Sequence, residues 1–79
     1  VEVRKEPYDR GVIIHVKSKY QYKIIVDLVS MEVLVRPEVG DSFPFREPPV
    51  DMLDDIIRAA RLAGIYIEIE RGAIERFFA

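Results

Sequence analysis

The sequence predicts an α+β fold: a mainly antiparallel sheet with one helix packed on it, in the order β-β-β-β-α-β. Three observations carry this. Alternating apolar and polar residues occupy much of the chain from Val1 to Arg36. A single apolar stripe at helical spacing runs from Met52 to Ala63. A last alternation sets Ile65, Ile67 and Ile69 against Tyr66, Glu68 and Glu70. The rival architecture is a small, partly open β-barrel capped by the helix, since a bend near Leu28 to Met31 is how small barrels turn corners.

The elements follow in order. Val1, Val3 and Lys5 begin an alternation that Pro7 stops, and Pro7 to Gly11 has the chemistry of a turn. Val12 to Val16 is rich in β-branched residues and reads as a strand, with a reversal at Ser18-Lys19. From Tyr20 the phase is explicit. Tyr20, Tyr22, Ile24, Val26 and Leu28 share one strand face, and Gln21, Lys23, Ile25, Asp27 and Val29 share the other. The apolar set then shifts by one residue to Val29, Met31, Val33 and Val35. Such a shift needs a bulge, a bend or a turn. Without Gly or Asn to supply positive dihedrals, one long bent strand is favoured over a tight hairpin.

Residues Arg36 to Ser42 read as a loop, and three prolines (Pro44, Pro48, Pro49) keep the next stretch extended or irregular. The helix is expected from about Met52 to Ala63. Asp51 is its predicted N-cap, Asp54 stands three residues on, Asp54 and Arg58 form an i, i+4 pair, and Gly64 is the C′ residue. Residues 73–79 fit either a short helix or a strand.

Seventy-nine residues make one domain, 1–79, with a thin margin of stability. Apolar residues at 49% and charged residues at 33% provide both a core and an ionised surface, which argues against disorder. No apolar run is long enough to cross a bilayer, so no membrane association is expected. Val1 to Lys5 alternates and is charged, unlike a secretory leader, so a cytoplasmic location is the expectation. Asn, Thr and Cys are absent and Gln21 is the only Gln, a depletion that, with the charge content, matches heat-adapted proteins.

The lack of cysteine removes thiol nucleophiles, thiolate metal sites and redox pairs. Glycines at 11, 40, 64 and 72 form neither a dinucleotide-binding nor a phosphate-cradling motif, and no serine-hydrolase or zinc-hydrolase signature occurs. His15 lies on the strand face of Ile13 and Lys17 with no motif tying it to an acid, which fits a sheet-surface histidine better than a general base. Asp51, Asp54 and Asp55 resemble a cation cluster, but a helix start accounts for them. No catalytic residue, metal or cofactor is expected, and an enzyme is the least supported class.

Two non-enzymatic readings remain. One is a self-associating or protein-interaction module, a homo-oligomer or the partner of another protein, whose surplus apolar surface includes Phe43, Phe45, Phe77 and Phe78. The other is a nucleic-acid accessory domain. Residues 1–23 carry six basic and three acidic groups, and Lys17, Lys19, Tyr20, Tyr22 and Lys23 interleave cations with rings. Against that reading, the isoelectric point of about 5.3 is acidic for a dedicated nucleic-acid binder.

Overall fold

The computed structural model describes residues 1–30, 32–46 and 48–65. The expected strand beyond Ile65, the ambiguous tail, Phe77, Phe78 and Met31 lie outside them. Four strands, β1 (Glu2–Tyr8), β2 (Gly11–Lys17), β3 (Gln21–Asp27) and β4 (Glu32–Pro37), precede one helix, α1 (Val50–Leu62). The described strands form an antiparallel sheet in the order β1-β2-β3-β4, an up-and-down meander that does not close into the alternative barrel. The α+β expectation therefore holds.

Each connection has a local cause. The pair Tyr8–Gly11 closes a two-residue turn, so β1 continues through Pro7 instead of stopping there. Pro7 is accommodated because it lies on an outer strand of the described sheet. Gly11 is required at this pairing, since a Cβ there would overlap the Val26 carbonyl oxygen on β3. The three residues Ser18, Lys19 and Tyr20 connect β2 to β3, at the reversal the sequence predicts.

The phase shift after β3 is a hairpin, not the expected long bent strand. Asp27 makes this possible. Its Oδ1 accepts the backbone N–H groups of Val29 (2.9 Å) and Ser30 (3.1 Å), so a carboxylate builds the turn that Gly or Asn would otherwise have to supply. Arg10 holds the other oxygen, Oδ2, at 2.7 Å. The Leu28 N–H bonds the Arg10 carbonyl at 2.8 Å and ties this end of the sheet together.

The helix packs on one sheet face. Ile14, Val16, Tyr22, Ile24, Val26 and Val35 meet Met52, Leu53, Ile56, Ala59 and Ala63 in a single core, with Val3, Val12 and Val33 around it. Small Ala59 and Ala60 let the helix approach closely, and each fully buried Ile, Met or Val contributes about 1.5–3 kcal/mol. The N-cap is Pro49, not Asp51. Its carbonyl accepts the N–H groups of Met52 (3.0 Å) and Leu53 (3.2 Å), and no side chain caps the end. Asp51 is drawn instead to the β2–β3 turn. Asp54 and Arg58 stay exposed and form no ion pair among the described residues.

At the far end Gly64 is the C′ residue, as expected, with φ +77°. Its N–H bonds the Arg61 carbonyl at 3.0 Å and the Ile65 N–H bonds the Ala60 carbonyl at 2.9 Å, the pattern of a Schellman stop. The two glycines predict different costs. Gly64→Ala strains the backbone but meets open space, and should lower unfolding stability by about 1 kcal/mol in denaturant titrations. Gly11→Ala pushes β2 from β3 and should cost more, about 2–3 kcal/mol; equal losses would contradict the described packing.

Candidate interaction face

Pairing aligns side chains in rows across the sheet, and alternate rows point to opposite faces. Val3, Val16 and Tyr22 in one row, and Val12, Val26 and Val33 in another, face the helix. No described element covers the other face. Its rows read Glu2, Lys17, Gln21; then Arg4, His15, Lys23, Arg36; then Glu6, Ile13, Ile25, Leu34; then Tyr8, Gly11, Asp27, Glu32. An apolar row thus runs through the middle of the face. A row of cations flanks it on one side, and acids and a tyrosine flank it on the other.

His15 is the most constrained polar group on this face. Its Nε2 lies 3.0 Å from Glu6 Oε2, and its Nδ1 lies 2.9 Å from Glu38 Oε2 and 3.2 Å from Oε1. Both ring nitrogens meet carboxylates, so both must donate, and only the imidazolium has two N–H groups. The Glu38 bond and then the Glu6 bond raise the His15 pKa above its ordinary 6.5, against a smaller opposing effect of burial. His15 in turn lowers the Glu6 pKa, chiefly through their hydrogen bond. Glu38 follows β4 and reaches this position because its N–H bonds the Gln21 carbonyl at 3.3 Å.

The remaining cations of the row are less engaged. Arg4, Lys17, Lys23 and Arg36 make no ion pair among the described residues, and neither does Glu32. Ile13, Ile25 and Leu34 are half-buried by one another and their neighbours. A groove of about 510 Å³ opens at the Glu2 end, walled by Arg4, His15, Lys17, Gln21 and Glu38.

The interleaved lysines and tyrosines do not share this face. Tyr22 is fully buried under the helix, and its hydroxyl donates to Asp55 Oδ2 at 2.7 Å. Burial, then that bond, raises the pKa of its phenol. Tyr20 donates to Asp51 Oδ1 at 2.8 Å and meets Phe45 edge-on at 6.4 Å. Lys19 pairs with Asp51 at 3.0 Å. Lys17 and Lys23 alone of the five lie on the uncovered face, Lys17 exposed and Lys23 half-buried. Phe43 and Phe45 stack at 5.1 Å and pack, half-buried, against the core.

Sequence reasoning missed Arg4, Arg36, Glu38 and the apolar row as one surface. The signal was present in part. Ile13, His15 and Lys17 alternate on β2, and Lys23 and Ile25 on β3, but only the register shows that these meet. Among the described residues no set of His, Asp or Glu converges on a metal position, and no helix is long and apolar enough to cross a membrane. No protein family matches the chain, and neither a curated protein nor a solved structure was found to match it.

The Asp27 site gives a pH prediction. Arg10 holds the Asp27 pKa down at about 2, with help from the Val29 and Ser30 N–H groups. A depressed folded-state pKa contributes stability that is present above the ordinary 3.8 and lost as pH falls toward about 2. Asp27→Asn keeps an oxygen for the turn but loses the charge. Its stability should therefore fall less steeply over that acid range in pH-dependent unfolding; an unchanged slope would remove Asp27 from the acid response.

Proposed function

We propose that this protein is a non-enzymatic, self-associating module whose uncovered sheet face binds a second copy of itself. The observation that carries the reading is the order of the rows: cations, an apolar centre, then acids. Consider two copies face to face, related by a twofold axis along the row Glu6, Ile13, Ile25, Leu34. The apolar rows meet, and each cationic row lies over the opposite outer row of its neighbour. Arg36 then meets the partner's Glu32 and Arg4 meets the ring of the partner's Tyr8, while Lys23 lies over the partner's Asp27, whose carboxylate its own Arg10 already holds. His15 falls over the partner's Gly11, where no side chain obstructs it. An axis along the strands would instead set cations against cations. Charge therefore selects one twofold arrangement of the kind that sheet-on-sheet packing uses.

Magnitude bounds the strength. Strands spaced about 4.8 Å apart with a rise of about 3.4 Å per residue give the face roughly 450 Å² per copy. Two copies bury about 900 Å², below the range of stable specific interfaces, so the dimer is weak and forms at micromolar to submillimolar concentration. The burial of Tyr22, and the engagement of half-buried Tyr20 and of Lys19 by Asp51, favour this reading over contact with single-stranded nucleic acid, which would need those groups turned outward.

Sedimentation equilibrium tests it. The full chain should show a monomer–dimer equilibrium, and Ile25→Lys should abolish it while the circular dichroism and melting curve stay those of a folded protein. Arg36→Glu and Glu32→Arg should each weaken the dimer about tenfold, and the double variant should recover most of the loss. A monomer at every concentration, or a dimer insensitive to Ile25→Lys, overturns the proposal. Single-stranded RNA binding at low salt that is lost in Lys17→Glu and Lys23→Glu would replace it with the nucleic-acid reading.

A further inference from the structure

We infer that protonation of His15 controls this self-association by neutralising Glu6 on the dimer axis. The inference rests on the proposed dimer and concerns the regulation of the same face. Glu6 belongs to the central row with Ile13, Ile25 and Leu34. Across a twofold axis along that row, the Glu6 carboxylate meets its own copy. Two carboxylates directly opposite repel, unless each is already compensated within its own subunit.

His15 is the compensating group. Its Nε2 is 3.0 Å from Glu6 and its Nδ1 is 2.9 Å from Glu38, so one imidazolium clasps a carboxylate on either side. The geometry allows no neutral equivalent, because a neutral ring has a single N–H and must leave one carboxylate without a donor. The other charges around the ring are Glu2 and Arg4 on β1, Lys17 on its own strand, Lys23 on β3 and Arg36 on β4. Arg4 disfavours the imidazolium, while Glu38 and Glu6 favour it more strongly.

Deprotonation acts on the dimer in two ways, both unfavourable. It removes one positive charge from the row that faces the partner's acids. It also frees Glu6 to repel its counterpart and lets Glu38 turn to the cations of its own subunit, in competition with the partner's Glu32. The sign follows from the direction of the shift. A raised pKa keeps the clasp closed below 6.5 and opens it as pH rises through the higher, native value, so the dimer is tight on the acid side and loosens on the alkaline side.

The test combines sedimentation equilibrium of the full chain at about pH 6 and about pH 9 with NMR titration of the His15 Cε1–H resonance. The dissociation constant of the wild type should rise about fivefold between the two, tracking the titration of His15. His15→Gln should behave at both pH values as the wild type does at the higher one. Glu6→Gln should dimerise tightly at both and lose most of the pH dependence, which a purely structural role for Glu6 would not produce. An equal wild-type constant at both pH values, with His15 titrating between them, overturns this inference and leaves the dimer standing. So does a Glu6→Gln variant that keeps the full pH dependence. A wild type that is monomeric throughout removes the dimer itself, and this regulation with it.

Discussion

The register between β2 and β3 is the constraint on which the rest of this molecule depends. Ile14 pairs with Ile24, and Val12 with Val26, and from these pairs the direction of every side chain in the sheet follows. Because the repeat is two residues, a slip of one with β2 held in place would turn Ile24 and Val35 into water and bring Lys23, Asp27, Glu32 and Arg36 under the helix. That exchange strands several charges in an apolar core, at a cost far above the stability of a domain this small. Gly11 and Asp27 guard the register from one end, and the Ser18–Tyr20 turn guards it from the other. The helix-facing core and the charged outer rows are therefore two results of a single alignment.

Charge is distributed by the same logic. The acids of the first helical turns look outward in the sequence, yet two of them are turned to the sheet. Asp55 accepts the hydroxyls of Tyr22 and Ser18, both at 2.7 Å, and Asp51 takes Tyr20 and Lys19. The β2–β3 hairpin thereby supplies donors to these two carboxylates near the start of a helix that lacks a side-chain cap. On the uncovered face, His15 plays the reverse part, a cation between two acids. Both arrangements join segments distant in sequence, and neither leaves a buried polar atom without a partner.

Much of the fold was legible in the residues because period and burial agree. The stripe Met52, Ile56, Ala59 and Ala63 could only be a helix lying on something apolar, and Gly64 could only end it. The faces of β3 were equally readable, Tyr22, Ile24 and Val26 being buried as a set. What was not legible shares one property: side chain and backbone exchanged their usual parts. Asp27 made a turn that ordinarily announces itself by Gly or Asn, and the Pro49 carbonyl took the first free N–H groups at the start of the helix, releasing Asp51 for a tertiary bond. The outer rows escaped for a different reason. Arg4, His15, Lys23 and Arg36 are spread over 33 positions of chain, and nothing short of strand pairing makes them neighbours.

Asp51 and Asp55 stand one helical turn apart, and each is engaged by a different hydroxyl of the same hairpin. An apolar stripe ending in Ala59, Ala60 and Ala63 is smooth, and by itself would let the helix slide or rotate over the valines beneath at little cost. Two pins of fixed spacing forbid that motion, because a shift of one turn would place an aspartate where only one of its partners can reach. The helix is thus indexed like a key with two teeth, and grease alone does not determine where it rests.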